Sequence, residues 1–488
     1  MSLRLPIINF SPSLTPGQIR GDCPYRLTGH DITLILQIDC TSIEGANEMV
    51  TELKTALKYQ ETFVTGKRDP VVVLKNLLES QIFFNYVMYE GKNEVRIAGN
   101  ELAKVSVSQD LVLLETVGKY HSEPVVNPFQ QVEELLGSLP IENWTAYGYV
   151  GFDVARFYSS YSKATDRELL YFLIPETELR FTAEGVYIRS IRSLERIRRL
   201  LFLDNKLPDY KPNLLDVDLA DRENYQNSVK TLIEAIKRGD LHKAIIARCF
   251  KFIGDLDVIG TYAVGARVNN SARSYCLNIG DVRAVGFSPE ILMEVNGDGF
   301  LETNPLAATR PRSESLEEDT HLCGELFTDA KEVKEHALSV WLAQSEIASL
   351  CLPGSIRVFN FMEVKKYRCV QHLSSRVGGR LKPGNTLWDA LKVLFPGITV
   401  SGIDKQQALK WIDRLEDEPR GIYAGGIGWV DSSGSADLAI AIRSVYQYGN
   451  WIHLNAGAGI VAESVPQNEY IESVNKMNTM LTNLVLKS

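Results

Sequence analysis

Strand-like runs in hairpin-like order constrain this chain more than any other feature of its sequence. In the C-terminal half these runs lie at residues 244–250, 274–278, 283–287, 291–295, 301–304, 422–429 and 438–444. Helical patterns at 329–350 and 387–394 interrupt the series but do not alternate strictly with it. Strictly alternating strands and helices would indicate a parallel sheet, whereas consecutive strands pair antiparallel. The pattern therefore predicts an α+β fold with large, mainly antiparallel sheets.

The polar segment 205–221, which carries two prolines, is the best candidate for a boundary within the chain. Before it, helical patterns mix with strand-like runs at 32–38, 71–74 and 94–97. After it, residues 222–238 show the apolar stripe of an amphipathic helix, which Gly239 ends. We predict an N-terminal α+β portion, residues 1–220, and a second portion, residues 221–488, that belong to the same compact fold.

Charge and cysteine content narrow the class of protein. A net charge of −9 and a pI near 5.5 over 488 residues argue against a nucleic-acid partner. An acidic protein that binds an anion must gather positive charge locally, in one pocket. The seven cysteines are scattered and form no CxxC pair, which predicts a reduced, cytoplasmic protein without a zinc site. Neither a signal-like N-terminus nor a membrane-spanning apolar run is evident, so no membrane association is expected.

The C-terminal segment combines a run of small residues with a charged helical face. Residues 456–461 (AGAGIV) precede a predicted helix with Ser464 as its N-cap. Glu469, Glu472 and Lys476 are spaced i, i+3 and i+7 and so share one face of that helix. Two carboxylates beside a glycine-rich backbone suit Mg2+, which would then hold an anionic substrate. The alternative, which the helix alone favours, is an exposed face with one salt bridge.

A second helical pattern carries further acidic residues. Glu332, Glu335 and His336 lie on one side of the helix predicted from residue 329. Taken alone, acidic residues in a first turn complement the helix dipole. Combined with Glu469 and Glu472, a carboxylate from this helix would complete an oxygen-rich Mg2+ site.

Lys243 and Glu290 are candidates for a general base and a general acid. Lys243 enters the apolar run 244–250, and desolvation lowers the pKa of a buried lysine. The alternative is a lysine whose ammonium reaches water. Glu290 follows Phe287 at the end of a strand-like run, where apolar surroundings raise the pKa of a carboxyl group. The alternative is an ordinary glutamate in a turn.

Groups suited to anion binding come from several separate segments. Thr399 and Tyr423 supply hydroxyl groups, and Arg443, which we predict on a strand, supplies a guanidinium for a bidentate carboxylate contact. His372 is a lone histidine, which would usually be structural. No single segment decides the function.

Together and in this order, the segments resemble the chorismate-utilising enzymes, which include anthranilate, aminodeoxychorismate, isochorismate and salicylate synthases. The resemblance is strongest over residues 240–484 and weaker around 146–157. It rests on the ordered motifs HKAIIAR, GFSPE, NPLAATRPR, KEVKEH, VQHL, LFPGITVSG, RGIYAGGIG, AIRSV, and AGAGIVAES followed by ExxExxxK. It implies a fold like that of anthranilate synthase component I, with sheets packed face to face and helices outside. Within the family, the chain most resembles salicylate synthases of siderophore pathways.

The resemblance also implies an activity for the portion 221–488, namely Mg2+-dependent conversion of chorismate to salicylate and pyruvate through isochorismate. Lys243 would activate water for attack at C2, and Glu290 would assist departure of the C4 hydroxyl. The implied substrate-binding residues are His372, Thr399, Tyr423, Arg443, Gly457, Ala458 and Lys476. The implied Mg2+ site consists of Glu335, Glu469 and Glu472, with Glu332 in support.

Departures from the motifs of other members of the family narrow the range of expected reactions. Aminodeoxychorismate synthases carry a nucleophilic lysine where this chain has Ala307, so no covalent amine intermediate is expected. Anthranilate synthases follow the Glu-His pair with a DLGRND-type run, which is absent after His336. No glutaminase-type segment is evident, so we expect no obligatory glutaminase subunit and a monomer or homodimer. The alternative is an isochorismate synthase, and an amine-using enzyme or an inactive homologue is less favoured.

Overall fold

The computed structural model describes residues 58–487 except 204, 214, 216–220, 368 and 369. The predicted strand at 32–38 and the predicted boundary at 220 lie outside these residues. The strands are β1 (Gln60–Thr65), β2 (Tyr86–Glu90), β3 (Val95–Val107), β4 (Leu111–Thr116), β5 (Lys119–Pro124), β6 (Thr145–Val150), β7 (Leu170–Phe181), β8 (Gly185–Ser190), β9 (Lys243–Ile253), β10 (Arg273–Ile279), β11 (Val282–Ser288), β12 (Ile291–Val295), β13 (Phe300–Thr303), β14 (Leu306–Pro311), β15 (Arg357–Lys366), β16 (Val370–Arg380), β17 (Gly402–Ile403), β18 (Gly426–Asp431), β19 (Ala436–Ile440), β20 (Ser444–Tyr448) and β21 (Trp451–Ile460).

The helices occupy the stretches between these strands. They are α1 (Pro70–Glu79), α2 (Pro128–Gly137), α3 (Leu194–Leu201), α4 (Arg222–Lys237), α5 (Val258–Ala266), α6 (Leu316–Thr328), α7 (Ala330–Ala348), α8 (Leu387–Leu394), α9 (Lys405–Leu415) and α10 (Pro466–Leu481), with a 3₁₀ turn at Phe152–Phe157. In the part of the chain that the structure describes, no helix is both long and apolar enough to cross a membrane.

Every strand pairing among the described residues is antiparallel, and the pairings form two branches that share β3 and β7. One branch has the order β1-β8-β7-β3-β2-β10-β11-β20-β21-β9-β17. The other has the order β5-β4-β3-β7-β6-β18-β19-β12-β13-β16, with β14 and β15 also paired to β16. Strands from both sides of residue 220 therefore pair with one another.

Alternate residues of β10 show how the layers pack. Tyr275 and Leu277 belong to one buried cluster together with Tyr147 of the other branch. Cys276, between them, belongs to a second buried cluster that includes Leu77 of helix α1. Because successive side chains of a strand point to opposite faces, the first branch is covered on both faces. The predicted α+β fold with antiparallel sheets and outer helices is confirmed.

The start of helix α10 differs from the prediction. Val465, and not Ser464, is the residue before the helix, and Pro466 is its first residue. The Ser464 hydroxyl accepts a hydrogen bond of 3.1 Å from the Val461 N–H. The prediction of Ser464 as N-cap was wrong because its side chain closes the turn after β21 instead.

Candidate active site

A cavity of about 180 Å³ lies where β9 and β21 meet helices α7 and α10. Its lining contains every predicted site residue except Ala458, namely Lys243, Glu290, Glu332, Glu335, His372, Thr399, Tyr423, Arg443, Gly457, Glu469, Glu472 and Lys476. Ala458 is fully buried in the core beside the cavity. It alternates with Gly457 and Gly459 along β21, so its side chain lies on the opposite face of the strand.

Lys243 is the first residue of β9, and its side chain lies in the cavity, only 10% exposed. Its Nζ donates a hydrogen bond to Glu335 Oε1 of helix α7. The residues of this ion pair are 92 positions apart in the chain. The pair joins the sheet to one of the two helices that carry the predicted metal ligands.

Glu290 lies in the turn between β11 and β12 and is 4% exposed. The Thr399 hydroxyl donates a hydrogen bond of 3.1 Å to Glu290 Oε2. Desolvation raises the pKa of Glu290 to about 7, against the opposing effects of that hydrogen bond and the Arg443 guanidinium. A carboxyl group with this pKa is substantially protonated at neutral pH, which is what a general acid requires.

Arg443 lines the cavity from a turn, so its predicted position on a strand was wrong. Strand β19 ends at Ile440 and β20 begins at Ser444. Between them Arg443 has a φ of 53°, in the left-handed region, and its carbonyl accepts a 3.0 Å hydrogen bond from the Phe287 N–H. The guanidinium acts to lower the pKa values of Glu290 and His372, which places a positive charge at this wall.

The acidic wall of the cavity is formed by helices α7 and α10. Glu472 forms an ion pair of 2.6 Å with Lys476, and the Lys476 Nζ also donates to the Gly457 carbonyl at 2.8 Å. Burial acts to raise the pKa of Glu472, but the nearby cations Lys476, Arg443 and Lys243 together outweigh it and lower the pKa overall. Glu332 forms an ion pair of 3.0 Å with Arg310. The carboxylates of this wall are thus partly balanced by cations of the same chain.

These carboxylates fit Mg2+ in ligand type, because Mg2+ takes oxygen ligands. Glu332 and Glu335 come from α7, and Glu469 and Glu472 come from α10, all facing one cavity. Among the residues that the structure describes, no group of three or more acidic, histidine or cysteine side chains already has the arrangement of a metal site. Lysine ammoniums contact Glu335 and Glu472 instead.

His372 and Tyr423 supply neutral polar groups. Burial, together with the cations Arg443 and Lys476, lowers the pKa of His372 to about 3, so its imidazole is uncharged at neutral pH. Since a carbonyl only accepts, the His372 Nδ1 donates its 3.3 Å hydrogen bond to the Ala308 carbonyl. Burial raises the pKa of Tyr423 to about 12, which keeps its phenol protonated. Both side chains are suited to bind a substrate and not to exchange protons with it.

Arg420 does not line the cavity but supports residues that do, and the sequence interpretation did not include it among the site residues. It is 3% exposed and forms a 2.6 Å ion pair with Glu416. Its guanidinium also donates to the Val400 carbonyl at 2.8 Å and to the Ile245 carbonyl at 2.7 Å. Val400 and Ile245 both line the cavity, so one side chain fixes two of its walls. The RGIYAGGIG motif pointed to this position, but nothing in it names the distant partners.

Replacing Arg420 by lysine is expected to lower the free energy of unfolding by about 2 kcal/mol. Lysine keeps the charge opposite Glu416 but leaves buried carbonyls without their donors. Denaturant unfolding at neutral pH measures the change. The control is Arg199→Lys, whose ion pair with Glu195 is exposed and whose loss is expected to stay within about 0.5 kcal/mol. Equal losses in the two variants would contradict the supporting role of Arg420.

A second cavity, of about 420 Å³, contains none of the predicted site residues. It is lined by residues that include Arg96, Glu178 and Arg189. The Arg96 guanidinium lies 3.7 Å from the centre of the Trp429 ring, and Arg189 forms a 2.8 Å ion pair with Glu178. Of the two, the smaller cavity holds a carboxyl group, Glu290, whose pKa of about 7 suits acid catalysis, together with a lysine and a carboxylate wall. The smaller cavity is therefore the better candidate for chemistry.

This cavity brings a lysine, a protonatable carboxyl group and a carboxylate wall together, and comparison with known proteins gives the family of the chain. The sequence pattern of the family described as chorismate binding enzyme matches residues 85–482. A salicylate synthase of Mycolicibacterium paratuberculosis is 32% identical over 406 residues, which are 82% of this chain and 90% of that protein. The chain belongs to the family of chorismate binding enzymes.

Other relatives have different named activities. An anthranilate synthase component 1 of Haloarcula marismortui is 42% identical over 267 residues, but these span 54% of this chain and half of that protein. The crystal structure of anthranilate synthase component I from Streptococcus pneumoniae has a TM-score of 0.69 at 29% identity, covering 80% of this chain and 92% of that one. The menaquinone-specific isochorismate synthase of Escherichia coli, at 20% identity, has a TM-score of 0.68 over 90% of this chain and all of that one, which shows the shared fold. The predicted family and fold are confirmed.

Proposed function

We propose that this protein converts chorismate into salicylate and pyruvate through isochorismate, with Mg2+ as cofactor. The observation that carries the proposal is the presence of Lys243 and Glu290 in one buried cavity. Exchange of a ring hydroxyl by water needs a base for the incoming water and an acid for the outgoing hydroxyl. The similarity to a salicylate synthase over most of both chains supports the complete reaction. The proposal includes siderophore or related secondary-metabolite biosynthesis as the use of the salicylate.

In the first stage, water attacks C2 of chorismate while the hydroxyl at C4 departs. The Lys243 ammonium, which contacts Glu335 in this structure, must first give up a proton. Its neutral amine then takes a proton from the attacking water, and the Glu290 carboxyl gives its proton to the departing hydroxyl, which leaves as water. The ring double bonds shift between the two carbons, so the product is isochorismate and no atom is gained or lost overall. The Thr399 hydroxyl, hydrogen-bonded to Glu290, fixes the direction of the acid.

In the second stage, pyruvate leaves the ring. A hydrogen passes from C2 to the methylene carbon of the enolpyruvyl group as the ether bond breaks, and the ring becomes aromatic. This transfer within one bound molecule needs a defined ring conformation and no further acid or base. A rigid wall, such as the one that Arg420 secures through Val400 and Ile245, supports such positioning.

Two groups of residues bind the carboxylates of the substrate in this proposal. Arg443, Tyr423 and the backbone at Gly457 and Ala458 hold the pyruvyl carboxylate, and His372 and Lys476 line the pocket. Glu335, Glu469 and Glu472, supported by Glu332, hold Mg2+. Bound there, Mg2+ supplies the positive charge that draws the ring carboxylate to an otherwise acidic wall.

Product identification tests this function. The purified protein is incubated with chorismate and Mg2+, with Mg2+ removed by a chelator, and with ammonia added, and the products are separated by chromatography. We expect salicylate in the presence of Mg2+ and none after chelation. Isochorismate as the end product would restrict the activity to the first stage, and anthranilate formed with ammonia would replace the proposal with an amine-using reaction.

A further inference from the structure

We propose that Gly459 is a positioning residue that lets the Lys243 side chain extend across β21 to Glu335. The inference rests on the proposed function, because it assigns a purpose to the position of the proposed base. Gly459 lines the same cavity as Lys243. The requirement for glycine at this position comes from the space that the lysine side chain occupies.

The geometry of the two strands carries this inference. Gly459 of β21 pairs with Ile245 of β9, two residues beyond Lys243 on the same face of the sheet. A Cβ atom at Gly459 would lie 2.7 Å from Lys243 Cε and 3.2 Å from Lys243 Nζ. Carbon atoms in contact are optimally about 3.5–4.0 Å apart. The end of the Lys243 side chain therefore lies directly over the Cα of Gly459.

The backbone of Gly459 gives no other reason for glycine. Its φ lies outside the left-handed region, so an L-residue fits the backbone there. The three nearest atoms that a Cβ would meet, at 2.7–3.3 Å, belong to the side chains of Lys243 and Ile245. At Gly457, by contrast, a Cβ would lie 2.7 Å from the Ile246 carbonyl oxygen of the neighbouring strand. The Cβ of alanine at 457 would clash with the backbone of the sheet. The Cβ of alanine at 459 would clash with the flexible end of the Lys243 side chain.

Alanine at 459 therefore displaces the amine while the fold and every charged group remain. The Lys243 Nζ loses its contact with Glu335 and its place in the cavity. A displacement of about 1 Å at a reacting group lowers turnover by about 100-fold. We expect Gly459→Ala to lower kcat by about 100-fold and to change KM less than threefold, because the anion-binding residues stay in place.

A double-mutant cycle with Lys243→Ala tests whether the effect passes through the lysine. In the Lys243→Ala background the new methyl group has no lysine side chain to displace. Gly459→Ala should therefore lower kcat less than threefold in that background. An equal loss in both backgrounds would overturn the inference. The control variant is Gly137→Ala at the end of helix α2, where a Cβ meets nothing within 4 Å, and its kcat and KM should match the wild type.

Chemical labelling gives a readout that does not depend on turnover. The rate of Lys243 acetylation by a water-soluble acetylating reagent is measured by peptide mass spectrometry. In the Gly459→Ala variant the Lys243 amine is released from Glu335 and should react several-fold faster. The melting temperature of this variant should lie within about 2 °C of that of the wild type. An equal or slower rate would overturn the inference. If faster labelling is found in a protein that leaves chorismate unchanged, the positioning role stands and the proposed function fails.

Discussion

Replacing Lys243 by alanine is expected to lower kcat for chorismate by about 10³-fold. The amine is the proposed acceptor of the proton from water, and removal of a positioned base has effects of about 10²–10⁴-fold. The substrate-binding groups remain, so KM should change little. Salicylate fluorescence gives kcat and KM, and denaturant unfolding gives the free energy of unfolding. We expect the variant to remain folded, because its partner Glu335 retains contact with solvent.

Lys251 of the same strand provides the matched control. It forms an ion pair with Glu418, and both side chains are more than 40% exposed. Lys251→Ala should leave kcat and KM at their wild-type values. A Lys243→Ala variant that keeps more than about a tenth of the wild-type kcat would contradict the assignment of the base, even in a protein that makes salicylate.

Replacing Glu290 by glutamine is expected to lower kcat by about 10²–10³-fold and to stabilise the protein at pH 8. Glutamine can still accept the hydrogen bond from Thr399 but has no proton to give to the C4 hydroxyl. In the wild type, the raised pKa of about 7 predicts that kcat/KM falls as pH rises above 7. The glutamine variant should lose this dependence.

The sign of the stability change follows from the same pKa. Burial raises the pKa of Glu290 from 4.5 in the unfolded chain to about 7 in the folded protein. Between these values the folded state holds a proton that the unfolded state has lost, so the free energy of unfolding falls as pH rises through this range. Because glutamine does not titrate, the Glu290→Gln variant does not lose stability in this way. It should be more stable than the wild type by up to about 3 kcal/mol at pH 8, with little difference near pH 4.

Thermal unfolding at both pH values, with Glu195→Gln as control, measures this difference. Glu195 is exposed beside Arg199, so its replacement should change the free energy of unfolding by less than about 0.5 kcal/mol at either pH. A Glu290→Gln variant that is destabilised at pH 8 would show that the carboxylate supports the fold, and it would remove the argument for a general acid.

Local sequence patterns predicted most elements in the C-terminal half of this fold but not their assembly. The predicted strand at 71–74 was wrong, because Asp69 caps and Pro70 begins helix α1 there. The period of the apolar residues gave helix α8 at Leu387–Leu394 with its observed bounds. The spacing of Glu472 and Lys476 on one helix face anticipated their ion pair. The meeting of Lys243 with Glu335 depends on how a strand packs against a distant helix, and no local pattern contains that information. The resemblance to the family, which rests on the order of the motifs, predicted that these residues belong to one site.

The features that the sequence interpretation missed have a common physical origin. The turn at Arg443 depends on a left-handed backbone that arginine rarely adopts. The partners of Arg420 include carbonyl groups, which every residue carries, so side-chain chemistry does not mark them. The space above Gly459 is defined by a side chain on the adjacent strand. Each is a consequence of packing between segments far apart in the chain.

The most direct test of the central claim is the stoichiometry of the wild-type reaction. Chorismate is consumed in the presence of Mg2+ while salicylate is followed by fluorescence and pyruvate by a coupled dehydrogenase assay. We predict one pyruvate and one salicylate for each chorismate consumed, with isochorismate rising and falling as an intermediate. Consumption of chorismate that yields isochorismate and no pyruvate would contradict the account.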